Sequence, residues 1–95
     1  MSASVGLLLL ELHLADAQSL KDRRQTVRSL KDRLRRRFNV SVAETDFQST
    51  ITRAEIAVAA TAARAADVEQ VLQLVEQEAA AQLGRALESS SIEIW

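Results

Sequence analysis

Apolar positions along this chain repeat with two different periods. Over residues 4–14, S-V-G-L-L-L-L-E-L-H-L, Leu8, Leu10, Leu12 and Leu14 alternate with Val5, Leu7, Leu9, Glu11 and His13. A period of two predicts a strand, and because both faces are apolar for most of its length it belongs in the middle of a sheet. From Ser19 to Phe38 the period lengthens. At about 100° per residue, Leu20, Val27, Leu30, Leu34 and Phe38 share an arc about 80° wide, the pattern of a helix docked by one side. The segment lacks Gly and Pro and is built mostly of strong helix formers. Ser19 is a natural N-cap, Asp22 three residues on makes an acidic variant of the capping box, and Asn39 is a natural stop.

β-Branched residues alternate again in V-S-V-A-E-T at 40–45, which predicts a second strand. Residues 46–52 are polar and turn-like around Phe47 and Ile51. The stretch after them is ambiguous. Its Ala content favours one helix from Arg53 to Leu83, yet Ala54, Ile56, Val58 and Ala60 alternate with Glu55, Ala57 and Ala59. A helix there would leave the first strand a single partner, and a two-stranded sheet that apolar is marginal; 53–61 is therefore predicted as strand. Val68, Val71, Leu72, Val75 and Ala79 are spaced as the inner face of a helix over 63–82, with Asp67, Glu69, Glu76 and Glu78 mostly outside it and Gly84 as its stop. Ile92 and Ile94 alternate with Glu93 and Trp95, predicting a last, edge strand.

The predicted order is β-α-β-β-α-β. Two right-handed crossovers then place both helices on one face of a four-stranded antiparallel sheet, an α+β ferredoxin-like plait with strands one and three in the centre. Residues 1–95 are read as a single domain of this kind; a chain of this length buries about 64% of its surface on folding, enough for one modest core.

Charge adds what periodicity does not. The net charge is −1, but residues 20–38 carry nine of the twelve Lys and Arg against only Asp22 and Asp32, so that segment is +7 and the remainder −8. Such polarity concerns partners rather than fold. Lys21, Arg24, Arg28, Lys31 and Arg35 recur three and four apart beside the apolar arc, backed by Arg33, Arg36 and Arg37. Arginine holds phosphate oxygens in a planar fork, so the stripe is a candidate contact for RNA or the ribosome. Structured RNA, read through shape and phosphates, suits it better than base-specific DNA. The competing reading is a solvated face whose charges pair with the acidic second helix and whose stems cover apolar surface. Base stacking on the central strands, the usual RNA mode of this plait, is excluded because 4–14 and 53–61 contain no aromatic residue.

Val5, Leu7 and Leu9, with Ala57 and Ala59 opposite, form an apolar outer face. It is a candidate interface for a homodimer, or for a protein-interaction or small-ligand regulatory module. Glu11 and His13 share a strand face as a candidate polar pair, but no nucleophile cluster, triad or Gly-rich phosphate loop accompanies them. Neither an enzyme, a cofactor nor a small-molecule substrate is indicated. With no Cys and one His, neither a disulfide framework nor a metal site is expected. The apolar opening from Val5 to Leu10 has no basic leader and is interrupted by Glu11 and His13 too soon to span a bilayer, so a cytosolic protein without membrane contact is expected.

Several stretches also carry a resemblance: L-E-L-H-L at 10–14, S-L-K-D-R-R at 19–24, S-L-K-D-R-L at 29–34 and R-F-N-V-S-V-A-E at 37–44, followed by Asp46, Gln48, Arg53 and Ala54. Together they resemble the YlxP-like family of small bacterial proteins of unknown function, over most of the chain and most strongly from 10 to 54. The resemblance implies a ferredoxin-like fold with 53–61 as strand. It also implies a bacterial cytosolic protein whose relatives are often encoded beside translation-initiation and ribosome-maturation genes, and no established activity. The chain departs from the family pattern at Phe47 and Ile51, where its members often carry His and Trp.

Overall fold

The computed structural model describes residues 2–95. Its elements are β1 (Ser4–His13), α1 (Leu20–Arg37), β2 (Ser41–Asp46), β3 (Arg53–Ala62), α2 (Ala65–Leu83) and β4 (Leu87–Ile94), with a single 3₁₀ turn at Gly84–Ala86. The four strands form one antiparallel sheet in the order β2-β3-β1-β4. This is the ferredoxin-like arrangement, with the two most apolar strands in the centre.

Alternation, rather than alanine propensity, decides 53–62. Ala54, Ile56, Val58 and Ala60 are all buried, and as a strand they meet Leu12, Leu10, Leu8 and Gly6 of β1 directly across the ladder. A helix would scatter the same four side chains around its axis. The core joins these rows to Val27, Leu30 and Leu34 of α1, Val42 of β2, and Val68, Leu72, Val75 and Ala79 of α2. Val71, expected on the inner face of α2, is only half-buried. Gly6 lets α2 approach: a Cβ there would lie 2.5 Å from Val68 Cγ1 and 2.8 Å from Leu72 Cδ1, so a side chain would force Val68 and Leu72 to shift in a packed core.

Ser19 caps α1 as expected, its hydroxyl accepting from the Asp22 N–H at 3.1 Å. Asp22 returns the contact one residue early, accepting from the Gln18 N–H. The helix ends before Asn39. Phe38 is the C-cap, its N–H still bonded to the Leu34 carbonyl while its backbone turns extended and its ring packs against the core. Gly84, at φ 56°, closes α2 in the left-handed region that favours glycine.

Candidate nucleic-acid interface

Helix α1 puts its basic residues to three uses, set by the direction each side chain leaves the axis. Arg23, at 1% exposure, is buried. Its Nε donates to the Arg53 carbonyl at 3.1 Å, and its Nη2 donates to the Phe47 carbonyl at 2.6 Å and to the Glu44 carboxylate. One side chain thereby ties α1 to the end of β2, the start of β3 and the loop between them. That loop turns at Phe47, a non-glycine residue at φ 61°, a conformation that persists only where its surroundings hold it. The Arg53 guanidinium lies 4.6 Å over the Phe47 ring and completes the clamp.

On the flank toward α2, Arg33 and Arg37 converge on Glu78, at 2.7 and 2.5 Å. The hydrogen bond from Arg33, helped by the charge of Arg37, holds the Glu78 carboxyl below its ordinary pKa against a smaller opposing effect of desolvation. Here the expected pairing with the acidic helix is realised, though for residues behind the stripe rather than in it.

The stripe lies on the opposite flank, toward β2. Lys21, Arg24 and Arg28, with Gln25, Ser29 and Asp32, line a shallow depression of about 510 Å³. Among the described residues no carboxylate stands within ion-pair distance of Lys21, Arg24, Arg28 or Lys31. Two other candidates are otherwise engaged. Arg35 donates from Nη2 to the Val42 carbonyl on the free edge of β2 at 2.6 Å, and Arg36 bonds its own helix at the Asp32 carbonyl. Of the stripe, Lys21, Arg24, Arg28 and Lys31 are thus the cations with no ion-pair or hydrogen-bond partner among the described residues.

Elsewhere, Leu7 faces Ala59 and Leu9 faces Ala57 across the β1–β3 ladder, so the five apolar outer residues form one patch with Val5 at its rim. Glu11 and His13 share a strand face but make no hydrogen bond with each other among the described residues. Glu11 reaches Arg53 at 3.7 Å and Ser89 Oγ at 3.4 Å, while Glu55, directly across from Glu11, accepts from Thr45 at 2.7 Å. A cavity of about 790 Å³ is lined by His13, Asp16, Asp22, Thr26 and Arg85 among others. Among the described residues no three His, Cys, Asp or Glu side chains are placed to hold a metal ion, and no helix is long and apolar enough to cross a membrane.

A ferredoxin-like plait whose basic helix is paired with acid on one flank only, and whose central strands carry no aromatic residue, is therefore the class of module in hand. By sequence the chain belongs to the family described as protein of unknown function DUF503, whose model matches residues 5–92. It is 32% identical over 71 residues to the uncharacterized protein YlxP of Bacillus subtilis, covering 75% of this chain and 77% of that one. Similar solved structures include the de novo designed protein Foldit4 (TM-score 0.54, 13% identity, 98% of this chain and 93% of that one). A C-terminal segment of the alpha subunit of aIF2 from Pyrococcus abyssi is also similar (0.51, 15%, 99% and 50%), as is a dimeric ferredoxin-like protein of unknown function from Thermobifida fusca (0.50, 14%, 96% and 90%). At these identities the likeness is one of fold.

Proposed function

We propose that this protein is a cytosolic, non-enzymatic binding module that attaches to structured RNA, free or in the ribosome, through phosphate contacts of α1. The observation that carries the reading is that, among the described residues, Lys21, Arg24, Arg28 and Lys31 have no carboxylate within ion-pair distance, on a helix whose other flank shares Glu78. Cations left without an internal partner, three and four residues apart on one rigid rod, suit a row of phosphates. The absence of aromatic residues from β1 and β3 favours a folded RNA, whose backbone is the recognition surface, over a single strand, which is held largely by stacking.

The test is retention on an RNA hairpin and on ribosomes. Changing Lys21, Arg24 and Arg28 together to Glu is expected to abolish retention with the fold intact, whereas Arg33→Glu with Arg37→Glu, which removes the side chains already held by Glu78, is expected to weaken it less. Equal retention by wild type and the triple variant would refute the reading. Arg35 is left out of the triple because its loss would also uncover the edge of β2.

A second reading rests on the contiguity of Val5, Leu7, Leu9, Ala57 and Ala59 on the open sheet face. It takes the protein as a homodimer, or as a partner- or ligand-regulated module, with that face closed. The Thermobifida fusca protein of this fold is dimeric, which supports the reading. Leu9→Glu is expected to leave a monomer where the wild type sediments as a dimer; a wild-type monomer at high concentration counts against it.

A further inference from the structure

The two edges of the sheet are finished differently. On β2, the outward carbonyls of Val42 and Glu44 are covered by the Arg35 guanidinium and the Gln48 side-chain amide. On β4, Val5 and Trp95 exchange both of their backbone hydrogen bonds, which sets the alternation along the ladder. Glu93, Ser91 and Ser89 bond to β1, so the N–H and C=O groups of Ser90, Ile92 and Ile94 point away from the sheet. Among the described residues nothing takes them up. The strand has eight residues, no Pro and no Lys, and its register shift lies before Ser89, so over residues 90–94 neither Pro, Lys nor a bulge blunts the edge.

The surroundings of this edge are acidic. Glu93 stands exposed on the open-face side. Glu76 of α2 overhangs the strand, its carboxylate accepting from the Ser90 hydroxyl, and Glu69 lies two turns earlier on the same side of the helix. None of the three has a cation within ion-pair distance among the described residues. Glu88, at the start of the strand, is shared with Arg53 at 3.7 Å, and Arg85 lies just before it. At the far end Trp95, 65% exposed, and Val5, 47% exposed, make an apolar step. A second copy pairing edge to edge would set its own Glu69, Glu76 and Glu93 against these, like charges meeting across a two-fold axis.

We infer that β4 is a docking edge for an extended peptide segment carrying Lys or Arg, which adds a fifth strand to the sheet and sets its cations beside Glu69, Glu76 and Glu93. Main-chain hydrogen bonds to Ser90, Ile92 and Ile94 supply the attachment and the carboxylates supply the selection. This site is independent of the α1 stripe and lies at the opposite edge of the sheet.

The probe is a capped eight-residue peptide of two Lys-Lys-Val-Val repeats, which puts Lys on both faces of an added strand, with two Glu-Glu-Val-Val repeats as its counterpart. Binding of the Lys peptide is expected to shift the emission of Trp95, the single tryptophan, and to slow amide exchange at Ser90, Ile92 and Ile94 about tenfold or more. The Glu peptide is expected to do neither. Ser90→Pro removes an outward donor that the β1 ladder does not use, a position where an edge strand tolerates proline, and is expected to abolish the protection while the core amides stay protected. Glu69→Lys with Glu93→Lys leaves the backbone edge intact and is expected to weaken the Lys peptide about tenfold while admitting the Glu peptide. Lys-peptide binding that leaves these three amides unprotected would overturn the inference, as would binding indifferent to Ser90→Pro. Sedimentation of the wild type as a dimer that Ser90→Pro dissolves would also overturn it, since the occupant would then be a second copy.

Discussion

On the flank of α1 that faces α2, Arg33 and Arg37 share Glu78; on the flank that faces β2, Lys21, Arg24 and Arg28 have no carboxylate within ion-pair distance among the described residues. The two flanks carry the same chemistry on one helix, so the difference comes from where the acids are put. Glu78 is the α2 carboxylate that reaches α1, whereas Glu76 is turned to β4. The segment charges of +7 and −8 therefore cancel only in part, where Arg23 meets Glu44 and Arg33 and Arg37 meet Glu78. They remain as a cationic side and an anionic side, each open to a partner of the opposite sign.

The comparison can be broken first at Arg23, which belongs to neither flank. Arg23→Leu leaves Glu44 without its buried partner and releases the Phe47 carbonyl, and is expected to cost about 3–5 kcal/mol in denaturant unfolding. Its sequence neighbour Arg24→Leu is expected to stay within about 0.5 kcal/mol. Similar losses at both positions would show that the solvent-facing flank is holding the fold after all.

Arg35 sharpens the boundary between structural and available cations. Arg35→Met removes the donor to Val42 and is expected to cost about 1 kcal/mol, with concentration-dependent self-association as the β2 edge is uncovered. Arg28→Met should show neither in the same unfolding and light-scattering measurements.

The smallest effect is expected at Glu78. Its pKa in the folded protein is lowered, chiefly by the hydrogen bond from Arg33. Its contribution to stability is therefore fully present above the unfolded carboxylate value and is lost as pH falls through the folded one. The melting temperature of wild type should approach that of Glu78→Gln across that acidic window, and salt at neutral pH should narrow the same gap. A gap that widened on acidification would mean that Glu78 is not the acid neutralising the α2 flank.

Most of the architecture could be read from spacing, because a period of two and a period near 3.6 are directly visible in where Leu, Val and Ile fall. Residues 53–62 required a topological argument as well, since alanine propensity pointed the other way and only the need of β1 for a second partner made the strand preferable. Arg23 was available and overlooked: at about 100° per residue it falls between Leu30 and Leu34, inside the apolar arc, and an arginine there must find buried acceptors. What it would find was not legible, because Glu44 and the Phe47 and Arg53 carbonyls lie 21 to 30 positions away in the chain. The left-handed turn at Phe47 was equally hidden, since no Gly or Asn marks it. The stripe itself was legible as a row of cations. Which of its members were already committed was not, and the capture of Arg35 by a strand edge appears only in three dimensions.

The most direct measurement is the affinity of the protein for an RNA hairpin as a function of salt, for wild type and for the variant with Lys21, Arg24 and Arg28 changed to Glu. Phosphate contacts by these side chains predict a wild-type affinity that falls linearly in a double-logarithmic plot, with a slope reduced by about one for each phosphate contact removed. A wild-type affinity flat with salt, or a slope the triple change leaves where it was, would contradict the account.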